Sequence, residues 1–283
     1  MRVLEYMPKF NIGEDIATIL AGSCWHIGND AVHIKGINNF LAKAKKHSWI
    51  LHGDVIEGVT PFDKRYEKDA HEASLVSTIQ KAADLIKEAQ SNCIGLLKGN
   101  HEDAPSKTFG DVAEDIAMRA GVPYLTATCF IKFVCPAGQF TGFFAHGNGS
   151  ANYRTGEPER KKSNKQIKLR DILKDFHADI CGMGHLHKSI STAPCSELRL
   201  SVGEDNTVKR RPIVTRPGWF YAAPSMFKTY NGHKSNYGEM KIFPAVDLGW
   251  IEFDVNRQGE ILEIREVNEE GVTLETTRPT VIR

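Results

Sequence analysis

Histidine, aspartate and asparagine cluster near glycines at five places in this sequence. They are Cys24-Trp25-His26, Gly53-Asp54, Gly99-Asn100-His101-Glu102, His146-Gly147 and Gly184-His185-Leu186-His187. Imidazole and carboxylate donors suit transition metals such as Mn, Fe, Ni or Zn. One carboxylate can bridge two ions. Two ions about 3.5–4 Å apart clamp the attacking and leaving oxygens of a phosphoryl displacement and make a bridging water acidic enough to react near neutral pH. A lone histidine after a strand is ordinarily just a hydrogen-bonded polar residue, so no single segment decides anything. The weight lies in their order and placement.

Each segment follows a run that reads as a strand. Asp15–Gly22, Ser48–His52, Cys93–Leu97, Phe140–Ala145 and Ala178–Met183 are short apolar runs closed by turn residues. Between them Ile34, Ile37, Leu41 and Ala44 recur at helical spacing, as do Leu75, Val76, Ile79, Ala83 and Ile86. A short helix is predicted over Asp111–Ala120 and a strand over Cys129–Val134. A capping box at Ser163–Gln166 predicts a helix carrying Leu169, Ile172, Leu173 and Phe176. After residue 189 the pattern is mostly β, with strands at Leu248–Asp254 and Ile261–Val267 flanking a turn at Asn256–Gly259. Alternating strands and helices followed by strands predict a layered α/β fold, with ligands at the carboxyl ends of the strands. We expect one domain over 1–283, in which 190–283 completes the second sheet.

Composition excludes little. Lys and Arg number 36 against 35 Asp and Glu, a formal net charge of +1, so any attraction to a polyanion is local. The six cysteines form no CxxC pair, and no run is long and apolar enough to span a bilayer. The expectation is a cytoplasmic protein with free thiols.

The five segments together resemble the signature of the calcineurin-like metallophosphoesterase superfamily: Asp-x-His, Gly-Asp, Gly-Asn-His-Glu/Asp, His-Gly and Gly-His-x-His. The resemblance covers about Ile16 to His187. Pro224–Tyr230 and Ser235–Glu239 further resemble phage and prophage members. The resemblance implies a four-layer αββα sandwich of two mixed β-sheets flanked by helices, with two divalent transition-metal ions (Mn, Fe, Ni or Zn) between the sheet ends. One ion would take His26, Asp54 and His187. The other would take Asp54, Asn100, His146 and His185, with Asp54 as the bridge. His101 would be the catalytic histidine that protonates the leaving oxygen or stabilises the transition state. Glu57 stands where some relatives carry a carboxylate that orients that histidine; its plainer reading is a solvated loop carboxylate.

The sequence departs from the signature at Cys24, where Asp is expected. Cys24 is a thiolate ligand favouring a softer ion, a spectator, or the mark of a relative that binds without catalysing; the first reading is preferred, because the position is right and a thiolate can replace a carboxylate as an anionic donor, and the last is least favoured, because the rest of the ligand set is intact.

Substrate handling points to Arg154, Arg160, Lys161, Lys162, Lys165, Lys168 and Arg170, either a solvated charged face or a phosphate grip. Arg154, Lys161 and Lys162 are the candidate contacts. Lys209-Arg210-Arg211 poses the same choice. Tyr153, Trp219, Phe220 and Tyr221 are base-stacking or core residues, and Lys64, Arg65, Tyr66 and His71 could line the same mouth. The expected function is a phosphodiesterase acting on nucleic acid or nucleotides by attack of a metal-bound hydroxide. The alternatives are a phosphomonoesterase, including protein phosphatase, and a phosphate-binding module without turnover.

Overall fold

The computed structural model describes residues 1–68, 70–149, 157–202, 208–216, 218–230 and 244–279, with backbone alone for 195–202 and 208–216. The chain runs β1 (Arg2–Tyr6), β2 (Ile16–Gly22), α1 (Ile34–Ala44), β3 (Ser48–Leu51), α2 (Leu75–Lys87), β4 (Cys93–Leu96), α3 (Asn100–Phe109) and α4 (Val112–Ala120). It continues through β5 (Thr128–Cys135), β6 (Gly138–Ala145), α5 (Pro158–Leu173), β7 (Ile180–Met183) and β8 (Ile190–Thr192). It closes with β9 (Cys195–Val202), β10 (Val208–Arg216), β11 (Trp219–Ala222), β12 (Gly249–Asn256), β13 (Ile261–Asn268) and β14 (Thr273–Thr277).

Two mixed six-stranded sheets result, ordered β1-β5-β6-β7-β11-β8 and β14-β13-β12-β2-β3-β4. Successive strand residues point to opposite faces, and this alternation sorts the core into three clusters. On β2, Leu20 faces α1, α2 and α4 together with Trp49 and Leu51, while Ile19 and Ala21 face the other sheet. Phe133, Phe144, Ile180 and Tyr221 meet Ile50, Ile251 and Phe253 between the sheets. Phe143, Cys181 and Met183 pack outward against Leu169 and Leu173 of α5. Helices, sheet, sheet and helix therefore form four layers, as the resemblance implies.

Strands β2, β3 and β4 are mutually parallel, so their carboxyl ends lie side by side. Parallel pairing of β6 with β7 does the same in the other sheet. His52 ties the two sets of ends together. Its ring meets the Ala145 carbonyl at 3.1 Å and the Tyr221 hydroxyl at 2.9 Å, across the gap between the sheets.

Two expectations are corrected. The described strands after residue 189 do not all join the second sheet: β8 and β11 extend the first, β12–β14 extend the second, and among the described residues β9 pairs only with β10. Trp219 and Tyr221, buried between the sheets, explain why β11 continues the first sheet beside β7. The capping box at Ser163 lies inside α5, which starts at Pro158; proline's fixed φ and missing N–H suit a first helical position. Strands β1 and β14, and helix α3, were not anticipated.

Candidate metal centre

Local backbone geometry marks the site before any side chain is considered. Among the described residues, six non-glycine positions have left-handed backbone: Cys24, His26, Asp54, Thr126, His185 and His187, with φ between 51° and 63°. Five of these are candidate ligands. The conformation costs an L-residue about 1–2 kcal/mol and persists where the surroundings dictate it, often at functional sites. Here the surroundings are backbone hydrogen bonds between loops. Cys24 N–H donates to the Gly53 carbonyl and His26 N–H to the Asp54 carbonyl, each at 3.0 Å. The loops after β2 and β3 therefore run together as an irregular ladder. Gly99 allows the loop after β4 to join them, since a Cβ there would collide with Asp54 Oδ1.

Glu102 locks that junction. Its buried carboxylate accepts the backbone N–H of Asp54 (2.9 Å), Ile56 (3.0 Å) and Gly99 (2.8 Å). Burial, with the Asp54 carboxylate nearby, pushes its pKa up. The sequence motif contains Glu102, but type and spacing alone assign it no role. It fastens the β3 and β4 loops, so that Asp54 and Asn100 face the same space.

The candidate ligands converge in two groups that share Asp54. In one, donor atoms of Cys24, His26, Asp54 and His187 lie within 4.8 Å of one another. His26 Nε2 is 3.3 Å from His187 Nε2. In the other, His146 Nε2 lies 3.1 Å from Asp54 Oδ2, 3.0 Å from Asn100 Oδ1 and 3.2 Å from His185 Nδ1. Asn100 Oδ1 is also 3.0 Å from His185 Nδ1. Donors held about 2.0–2.2 Å from one ion stand about 3 Å apart, so these spacings fit divalent cations.

Neighbouring acceptors set the tautomers. His146 Nδ1 donates to the His52 carbonyl at 2.5 Å, which leaves Nε2 as the lone-pair donor facing Asp54. His26 Nδ1 meets Glu57 Oε2 at 2.8 Å, which turns Nε2 towards His187. His101 Nδ1 donates to the Glu57 carbonyl at 2.6 Å and sits 3.8 Å from the Glu57 carboxylate, while its N–H donates to Asp54 Oδ1 at 2.9 Å. Glu57 thus holds His26 directly and His101 mainly through its backbone.

The electrostatics match a cation site. Burial alone would raise the Asp54 pKa, but His146, His101 and His26 outweigh it and hold the carboxyl well below its usual range. Burial pushes the Cys24 thiol up, and His187 and His26 more than reverse this. Burial would lower His146, yet Asp54 lifts it to about 9. Protons and a divalent cation compete for the same donors.

The site is also framed by residues to which the sequence assigned no role there. Ser225 Oγ and Met226 N–H both hold the Cys24 carbonyl, at 2.8 and 3.0 Å. The Phe227 ring lies 5.1 Å from His26 and 6.4 Å from His187. These come from the Pro224–Tyr230 segment; Ser235–Glu239 lies outside the described residues.

The substrate candidates fare differently. Arg154 and Tyr153 lie outside the described residues. Lys161 and Lys162, on α5, line a cavity of about 310 Å³ with Glu266 and Glu275 that contains none of the candidate ligands. Lys162 pairs with Glu275 of β14, so opposite charge draws it to the sheet edge rather than to the ligands. No side chain of Lys209–Arg211 is described. Trp219 and Tyr221 are buried between the sheets, and Phe220 packs against the outer cluster, so these aromatics are core. His71 does reach the site, 3.9 Å from Glu57 and 5.9 Å ring to ring from Tyr66. Arg65 pairs with Asp63.

No protein-family model matches the chain, and no curated protein does. Solved structures do. A predicted phosphoesterase from Streptococcus pneumoniae is 12% identical with a TM-score of 0.37, covering 92% of this chain and 94% of that one. GAP50, the anchor in the inner membrane complex of Plasmodium, is 9% identical with a TM-score of 0.48, covering 95% and 90%. A double mutant of Vps29 from Entamoeba histolytica is 12% identical with a TM-score of 0.39, covering 92% and 98%. No described helix is long and apolar enough to cross a membrane.

Proposed function

We propose that the chain is a metal-dependent phosphoester hydrolase of the metallophosphoesterase type, acting on phosphodiesters of nucleic acid or nucleotides. The observation that carries this reading is the pair of donor groups sharing Asp54. Bound there, two divalent cations would supply Lewis acidity to the phosphoryl oxygens and a water acidic enough to react near neutral pH.

The chain's own residues do the rest. Cys24, His26, Asp54 and His187 would hold one cation; Asp54, Asn100, His146 and His185 would hold the other. Asp54 would serve both cations, with Oδ1 anchored by the His101 N–H and Oδ2 facing His146. His101 donates Nδ1–H to the Glu57 carbonyl, which makes Nε2 the nitrogen that exchanges a proton with the leaving oxygen. General acid catalysis of this kind contributes about 10²–10⁴ in rate. Glu57 positions His26 and His101 together.

The diester preference draws on the phage-type resemblance and on Arg154, the basic residue nearest His146 in the sequence. Protein stripped of metal and resupplied with Mn²⁺, Ni²⁺, Zn²⁺ or Fe²⁺ is expected to hydrolyse bis-p-nitrophenyl phosphate faster than p-nitrophenyl phosphate. Faster monoester hydrolysis would make it a phosphatase. Folded protein silent with every metal would leave a phosphate-binding module.

A further inference from the structure

We propose that the two halves of the centre differ in softness: the Cys24 half holds a thiophilic divalent ion such as Zn²⁺ through a thiolate, and the Asn100 half holds a harder, exchangeable ion such as Mn²⁺. This rests on the metal-centre reading above and deepens it.

The two halves share Asp54 and differ in one donor class. The Asn100 half offers two oxygens and two imidazoles. The Cys24 half offers sulfur in their company, and sulfur selects soft and borderline ions where oxygen donors accept hard ones. Cys24 is fully buried, so its sulfur faces partners inside the protein and not solvent. Among the described residues the four other free thiols, Cys93, Cys129, Cys135 and Cys181, belong to no comparable donor group. They pack in apolar clusters, where a small hydrophobe suffices.

The backbone also holds Cys24 in place at a cost. Its left-handed φ of 51° is maintained by three hydrogen bonds: its N–H to Gly53, and its carbonyl from Ser225 and Met226. A residue serving only to fill space needs no such clamp. The Ser23 hydroxyl, 3.0 Å from Cys24 Sγ, can donate to a thiolate and lower its charge density, as polar partners of metal-bound sulfur commonly do.

Titration of metal-stripped protein with Co²⁺ alone tests this without relying on turnover. Thiolate bonded to Co²⁺ gives an intense near-ultraviolet charge-transfer band, whereas nitrogen and oxygen donors give only weak visible bands. The near-ultraviolet band is expected to saturate at one equivalent while the visible bands grow to two. In C24S and C24D the visible bands should remain and the charge-transfer band should vanish. In H146A the charge-transfer band should remain and the second equivalent should be lost. Two equivalents of Co²⁺ bound by the native protein without the band, or a band that survives in C24S, would overturn the proposal and leave the metal centre standing. Failure of the folded native protein to take up any Co²⁺ would overturn both. The native spectrum decides the matter even if a variant does not fold.

Discussion

The space between the sheets and the space at their ends are both buried, and they treat the same residue types in opposite ways. Cys129 and Cys181, packed among aliphatic and aromatic side chains, have their thiols pushed up to about 12 by burial. Cys24 is as deeply buried, and His187 and His26 bring it down. His52, beneath the sheet ends, is pushed down to about 3 by burial, while His146, whose Nδ1 donates to the His52 carbonyl, is lifted to about 9 by Asp54. Burial sets the size of electrostatic effects, and the neighbours set their sign. The apolar layers hold the fold together; the sheet ends give up local stability, through left-handed backbone and crowded donors, to hold charge.

The largest effect that could break this division concerns activity. Asn100→Ala and His146→Ala are each expected to lower hydrolysis by at least about 10³-fold, as loss of a metal or its positioning would. Melting of the metal-free protein should change by only a few degrees. Retained activity in both variants, with one equivalent of metal still sufficing, would sink the site assignment.

Next in size come substitutions that act on stability. Phe253→Ala, between the sheets, should cost about 3–5 kcal/mol by denaturant unfolding. Metal affinity of the folded fraction should be unchanged. Glu102→Ala should cost about 2–4 kcal/mol, because three buried N–H groups lose their acceptor. Unlike Phe253→Ala, it should also weaken the second metal equivalent, since it loosens both Asp54 and Asn100. Glu102→Gln, which keeps an acceptor oxygen, should recover part of the stability. If Phe253→Ala weakens metal binding as much as Glu102→Ala does, the two regions are not separable.

This separation explains what the sequence made legible. The strands that carry the ligands were readable because burial on both faces writes continuous apolar runs, as at Trp49–Leu51 and Cys93–Leu96. The ligand segments were readable because their types and order are unusual. The capping box at Ser163 misled, because Pro158 upstream is an equally good start. Helix α3 opens on Asn100 itself and contains Pro105, which argues against a helix on propensity; tertiary contacts and the Glu102 cap override it. Ser225, Met226 and Phe227 were not assignable, because they reach Cys24 and His26 from about 200 positions along the chain (|i−j| of 201 for Ser225 to Cys24). The role of Lys162 was open for a related reason: a basic helical face reads alike whether it meets phosphate or, as Lys162 does here, Glu275.

A smaller effect depends on pH. His146 has its pKa raised from 6.5 to about 9 in the folded protein. Its protonated pairing with Asp54 therefore stabilises the metal-free fold fully below about pH 6.5, and that contribution is lost as pH rises through about 9. Metal requires the deprotonated imidazole, so its affinity runs the other way. The rise in melting temperature caused by added Mn²⁺ or Zn²⁺ should widen steadily between pH 6.5 and 9. A shift independent of pH over that range would show that His146 is not exchanging its proton for a cation.

The smallest expected effect is the most direct test of strain at the sheet ends. His185 has a left-handed φ of 63° and lies at the partly exposed rim of the site, where burial and the neighbouring His146 push its pKa down. Glycine adopts that backbone without steric cost, although it loses more entropy on folding. His185→Gly removes both the strained Cβ and the crowding against His146. It should leave metal-free protein about 0.5–1 kcal/mol more stable, measured by denaturant midpoint at constant m-value, while abolishing the second metal equivalent. The opposite pattern, a loss of stability without metal, would mean that His185 supports the fold through its own contacts and that the left-handed backbone there is not strain held for function.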